Sequence, residues 1–131
     1  WGRRESYRED KMLIDSNIII YAMHPDKEIV RKLIEKNSPF VSVVSYVEVL
    51  GYHKLCEMER EYLEDFFKNA KMLPISQSVL DYAVKLRQIR KMTLGDALIA
   101  GTALTHDIKL VTRNITDFQW IENLELINPF E

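Results

Sequence analysis

Met12-Leu13-Ile14-Asp15-Ser16-Asn17-Ile18-Ile19-Ile20-Tyr21-Ala22 is the stretch whose reading decides the fold. A short apolar run stops at an acid. Asp, Ser and Asn, the residue types that accept hydrogen bonds from the first free amides of a helix, come next, and an apolar stretch follows. This reads as a strand feeding a helix. The same order recurs downstream. Ile29, Val30, Leu33 and Ile34 keep helical spacing until Asn37-Ser38-Pro39 stops them. Phe40 to Val44 is short and β-branched, and Ser45 then opens an apolar-periodic stretch through Val47, Leu50 and Leu55. From Glu59 to Ala70, Tyr62, Leu63, Phe66 and Phe67 form one face of an amphipathic helix. Met72 to Ile75 reads as a brief strand that Pro74 restricts to an edge or a terminus. Val79, Leu80, Ala83, Val84 and Leu86 make a long helix. Thr93 begins another, so evenly apolar through Leu104 that it belongs in the interior. Lys109 to Thr112 is a strand, Arg113 to Phe118 a loop or short helix, and Leu124 to Ile127 a last strand. The alternation predicts an α/β sandwich with a central, mostly parallel sheet flanked by helices.

Four acids, Asp15, Glu48, Asp96 and Asp117, stand where strands give way to helices or loops, or near a helix start. In a parallel sheet such positions share one edge of the molecule. Each acid alone has a structural explanation: Asp15 as a helix cap, Ser45-x-x-Glu48 as a capping box, Thr93-x-x-Asp96 as a looser one, and Asp117 as a turn residue. Four independent caps on one edge is the weaker account. Two carboxylates about 5 Å apart repel by roughly 3 kcal/mol at an effective dielectric near 20, so a cluster of four calls for a cation. Hard oxygen ligands suit Mg²⁺ or Mn²⁺, and with them phosphoryl-transfer chemistry.

The 131 residues suit one domain, expected over residues 12–131, with the polar, aperiodic residues 1–11 as an appendage. Without that appendage the chain keeps 14 basic against 17 acidic residues out of 18 and 20, a balance that gives no hint of nucleic acid but allows local basic patches. Cys56 is the single cysteine, so no intrachain disulfide forms, and a buried inert thiol is expected. The chain has neither an apolar run long enough to span a bilayer nor a cleavable leader, which predicts a soluble, cytoplasmic protein. His24, His53 and His106 are dispersed, and His53 with Cys56 offers two ligands where structural zinc takes four. No glycine-rich phosphate loop or nucleophile elbow is present.

The sequence resembles the PIN-domain ribonucleases and, within them, the VapC-type toxins of toxin–antitoxin pairs. The resemblance rests on Met12 to Ala22, on Glu48 in Ser-Tyr-Val-Glu-Val-Leu, on Gly95-Asp-Ala-Leu-Ile-Ala100, and on Leu110-Val-Thr-Arg-Asn-Ile-Thr-Asp-Phe118, and it spans nearly all of residues 12–130. It implies a PIN-like sandwich and a homodimer. The implied activity is a Mg²⁺- or Mn²⁺-dependent endoribonuclease that leaves a 5′-phosphate and a 3′-hydroxyl, held inactive by a cognate antitoxin protein. Asp15 and Asp96 carry over as the firmest metal ligands, with Glu48 and Asp117 completing the acidic catalytic quartet. Gly95 departs from the proline that often precedes the acid in this family. Ser16, Asn17, Thr112 and Asn114 are candidates for aiming the carboxylates, or for satisfying local backbone. Arg113 is placed to meet an RNA phosphate, and Arg87, Arg90 and Lys91 to form a basic rim, against the duller reading of solvated residues. Tyr62, Phe66 and Phe67 read as core, or in part, with Tyr46 or Tyr52, as a dimer or antitoxin contact. Two other readings stay open: a PIN nuclease of RNA maturation without an antitoxin, and a noncatalytic RNA-binding module.

Overall fold

Period-two alternation within three residues sets the layers. In Met12–Ile14 (β1), Met12 and Ile14 point to one face of the sheet and Leu13 to the other, and all three are buried. The computed structural model describes residues 11–24 and 26–130. Apart from Lys11, the appendage expected over residues 1–11 lies outside the described residues.

After β1 come α1 (Ser16–Ala22), α2 (Glu28–Asn37), β2 (Phe40–Ser42), α3 (Val43–Leu50), α4 (Glu57–Asn69) and β3 (Lys71–Leu73). The second half contributes α5 (Gln77–Ile89), α6 (Leu94–His106), β4 (Lys109–Val111), α7 (Ile115–Phe118) and β5 (Leu126–Ile127). The five strands are all parallel in the order β3-β2-β1-β4-β5. From the central β1 the chain therefore builds outward on one side through β2 and β3, and on the other through β4 and β5. A crevice outside the carboxyl ends of β1 and β4 is the place such a sheet reserves for a ligand.

One core lies on the face of Ile14, where Ile18, Ile19, Val30, Val41, Leu63 and Phe67 are buried together. The other lies on the face of Leu13, with Leu110, Ile99, Ala100, Ala103 and Phe118. α6 is the interior helix the sequence predicts. Its small residues bring it close to α5: a Cβ at Gly101 would stand 2.7 Å from the Val79 carbonyl oxygen, so only glycine permits the close approach. Thr102, also buried, returns its hydroxyl to the Leu98 carbonyl at 2.7 Å and leaves no stranded donor. No described helix is long and apolar enough to cross a membrane.

Several sequence readings are corrected. β2 stops at Ser42, whose Oγ accepts the Val44 amide at 3.0 Å, so Val43 and Val44 open α3 instead of extending the strand. Ser42, not Ser45, is the cap. Ser45 and Glu48 are one helical turn apart inside α3, and the capping box read from them does not exist. Leu55 lies beyond α3, and Leu124 ahead of β5. Cys56 is exposed, because it precedes α4 as that helix's N-cap residue instead of entering the core. Phe67 is buried and Phe66 partly so, whereas Tyr62 is 44% exposed, leaving the aromatic stripe only partly core.

Candidate active site

The end of β1 delivers Asp15 and the end of β4 delivers Thr112 to neighbouring positions, because Ile14 pairs with Val111 and the Asp15 amide bonds the Val111 carbonyl at 3.0 Å. Asp15 is 4% exposed. Its Oδ1 accepts the Ser16 amide at 2.7 Å as the cap of α1, and its Oδ2 accepts the Thr112 hydroxyl at 2.9 Å. Thr112 Oγ1 accepts in turn from the Asn114 amide at 3.1 Å. The carboxylate is thus held from both ends.

A second chain of hydroxyls holds Glu48. Ser16 Oγ donates to Glu48 Oε1 at 2.8 Å, and the Ser16 and Ser45 hydroxyls stand 2.8 Å apart. Ser16 has one proton and a carboxylate only accepts, so the bond between the serines runs from Ser45 to Ser16. Ser45, fully buried, is a site residue the sequence reading missed. The available signal was its spacing of three before Glu48, which puts both on one helical face.

Thr93 caps α6 by accepting the Asp96 amide at 3.1 Å, which sets Asp96 in the first turn of the helix. Between them sits Gly95, where an added Cβ would lie 2.5 Å from Glu48 Oε2. Glycine here makes room for the Glu48 carboxylate. Asp117, on α7, is exposed and shares a cleft with Asp96. Burial pushes the Asp15 carboxyl up to about 6, the Thr112 hydroxyl opposes that rise, and the negative charges of Asp96 and Glu48 add to it. Asp96 is also raised, first by burial and then by Asp117 and Glu48, against its bond with Thr93. Asp96 thus carries an electrostatic influence with each of the other three acids, and Asp15 with Asp96 and Glu48.

No group of three or more His, Cys, Asp or Glu side chains among the described residues is arranged to hold a metal ion as it stands. The donor set nonetheless fits a hard cation. Among the described residues none of the four carboxylates is paired with a basic side chain, and Mg²⁺ needs only one or two carboxylates because it keeps several waters.

The remaining expected residues are more dispersed. Asn17 is exposed on α1, and Asn114 engages Thr112 through its backbone. The exposed Arg113 guanidinium lies against two rings, 4.8 Å from the centre of Phe130 and 5.2 Å from that of Tyr21. Arg87, in the last turn of α5, is occupied by the loop before α6, its Nε donating to the Met92 carbonyl at 3.3 Å.

A family model of the PIN domain matches residues 12–120. The chain belongs to the PIN domain family. Ribonuclease VapC1 of Rickettsia felis is 30% identical to it over 130 residues, covering 88% of this chain and 94% of the relative. Among solved structures, a toxin–antitoxin complex from Klebsiella pneumoniae contains a similar chain with a TM-score of 0.74 and 28% identity, over 92% of this chain and 98% of the other. VapBC2 of Rickettsia felis, crystallised with a promoter DNA fragment, matches the fold at a TM-score of 0.79 and 24% identity, over 90% of this chain and 98% of its counterpart. In this PIN domain the four acids thus stand on a scaffold shared with ribonucleases.

Proposed function

We propose that this PIN domain is a Mg²⁺- or Mn²⁺-dependent endoribonuclease and the toxin of a toxin–antitoxin pair. The observation that carries the reading is the meeting of Asp15, Glu48, Asp96 and Asp117 from four separate segments at the carboxyl edge of the sheet, with no cation of the protein paired to them among the described residues. Its likeness to a ribonuclease VapC and to a chain in a toxin–antitoxin complex supports the substrate and the protein partner. A homodimer belongs to the same reading, supported by Leu80 and Val84, which α5 leaves exposed one turn apart. An RNA substrate agrees with activity in the cytoplasm.

Asp15 and Asp96 would hold the ion, with Glu48 and Asp117 beside them. When bound, the ion offsets charge on the phosphoryl oxygens and the leaving 3′ oxygen. Thr112 and Ser16 keep the Asp15 and Glu48 carboxylates aimed before substrate arrives, so little reorganisation is needed during the reaction. A carboxylate of the quartet orients a water for in-line attack on phosphorus and accepts its proton.

Purified, antitoxin-free protein should cleave RNA with Mg²⁺ or Mn²⁺ and lose that activity in EDTA, and Asp96→Asn should be inactive under both conditions. Mapping transcript ends after brief expression of wild type beside Asp96→Asn tests the activity and locates its targets. Cleavage that survives EDTA would remove the metal from the scheme.

Gly95→Ala separates site geometry from fold. Alanine is favoured over glycine in a helix by up to about 1 kcal/mol, so the melting temperature should hold or rise. The added methyl displaces the Glu48 carboxylate, and cleavage should fall roughly tenfold. Parallel melting and rate measurements check this, and an unchanged rate would mean that the position of Glu48 is immaterial.

A further inference from the structure

Beside the four carboxylates the molecule has a cleft of about 420 Å³ bounded by Arg90, Lys91, Thr93, Asp96, Asp117 and Trp120. Its two walls are fixed independently. On one side, the loop joining α5 to α6 is pinned by Arg87 on the Met92 carbonyl and by the Arg90 amide on the Leu86 carbonyl at 3.2 Å. On the other, the Trp120 indole N–H donates to the Asp117 carbonyl at 2.9 Å. The Arg90 guanidinium lies 5.6 Å from the centre of the Trp120 ring, within the range at which a cation is held over indole.

Arg90 and Lys91 are exposed, and among the described residues neither pairs with a carboxylate, although Asp96 and Asp117 line the same cleft. Two cations without an acidic partner and a partly exposed indole therefore border the acidic edge. A single-stranded nucleic acid complements such a surface: each nucleotide brings one anionic phosphate and one flat base that is free to stack on an aromatic or guanidinium plane.

We propose that this cleft is the subsite for the nucleotide adjoining the scissile phosphate of single-stranded RNA, with Arg90 and Lys91 binding its phosphate and the Arg90–Trp120 pair presenting a plane for its base. The proposal rests on the ribonuclease reading and extends it to substrate positioning. Trp120 makes the test direct. The chain has two tryptophans, so Trp1→Phe leaves Trp120 as the sole indole reporter.

In the full chain carrying Trp1→Phe, with Asp15→Asn to stop turnover, titration with a single-stranded hexaribonucleotide should change Trp120 fluorescence. Adding Arg90→Gln and Lys91→Gln should weaken binding about tenfold and flatten the dependence of log affinity on log salt by about 0.7 for each phosphate that the protein no longer neutralises. Lys68→Gln, which removes an exposed charge of α4 outside the cleft, should alter neither. An unchanged affinity and salt slope in the double variant, or no fluorescence response at saturation, overturns the subsite. The two readings fail differently. If otherwise unsubstituted protein cleaves RNA and Arg90→Gln/Lys91→Gln keeps its KM, the subsite alone is ruled out. If protein without substitutions does not cleave, the nuclease reading goes with it.

Discussion

Asp15→Asn should yield a metal-free protein that melts higher than the wild type yet cleaves RNA on the order of a thousandfold more slowly. The loss follows from removing the carboxylate that two hydrogen bonds hold at the meeting point of β1 and β4. The gain follows from burial. A carboxyl at 4% exposure whose folded value stands at about 6, against an ordinary 3.8, is penalised in its ionised form by on the order of 3 kcal/mol at neutral pH. The folded state binds the extra proton, so this penalty is absent below about pH 4 and fully present above about pH 6. Metal-free wild type should therefore gain stability as pH falls through that window, while Asp15→Asn shows a flatter profile. The amide sets one N–H donor against the Ser16 amide or the Thr112 hydroxyl, which returns about 1 kcal/mol of the gain. Melting curves in EDTA between pH 4 and 8, beside cleavage rates with Mg²⁺, check both halves. A variant that melts lower, or that cuts RNA at the wild-type rate, contradicts the assignment.

Thr112→Val should reduce cleavage roughly ten- to a hundredfold with every carboxylate in place. Valine fills the same space but neither donates to Asp15 nor accepts from the Asn114 amide, bonds of 2.9 and 3.1 Å at a fully buried side chain. Leaving those partners unpaired costs about 1–3 kcal/mol of stability. The Thr112 hydroxyl also supplies the larger in effect of the two hydrogen bonds, the other coming from the Ser16 amide, that hold the Asp15 carboxyl down against burial. Without it that carboxyl ionises at higher pH, so the acid limb of the kcat/KM profile should move upward. Thr112→Ser, which keeps the hydroxyl, should restore most of the activity. A valine variant with lowered stability and an unmoved pH profile would reduce Thr112 to a packing role.

Most of the scaffold is legible in the sequence because its signals are local. The short apolar run Met12-Leu13-Ile14 stopped by an acid, caps at Asp15 and Thr93, and the even apolar character from Ala97 to Leu104 each declare an element and its place. Where local and tertiary signals compete, the reading fails. Val43 and Val44 have β-branched side chains, yet the Ser42 hydroxyl starts a helix there and the core accepts Val44 in that form. The acids are legible as a set because strand ends share an edge. Their supports are legible only in part: Ser16 and Thr112 stand next to strand ends, whereas Ser45 acts through the Ser16 hydroxyl across a gap that spacing in sequence does not show. Cys56 departs from expectation for a related reason, since its position before α4 outweighs the usual preference of a thiol for the interior. The partners of Arg113 are remote in sequence, and no periodicity links it to Tyr21 and Phe130.

That cluster of two rings and a guanidinium joins Phe130, beyond β5, to Tyr21 of α1. Phe130 meets Tyr21 edge-on at 5.5 Å, and Arg113, whose guanidinium rests on both, is the immediate neighbour of Thr112. The Thr112 amide also donates to the Ile127 carbonyl at 2.9 Å, so loss of the residues from Ile127 to Phe130 should loosen the segment that steers Asp15. The rim of the sheet is therefore mechanically continuous with the tail, and fraying at one should be felt at the other.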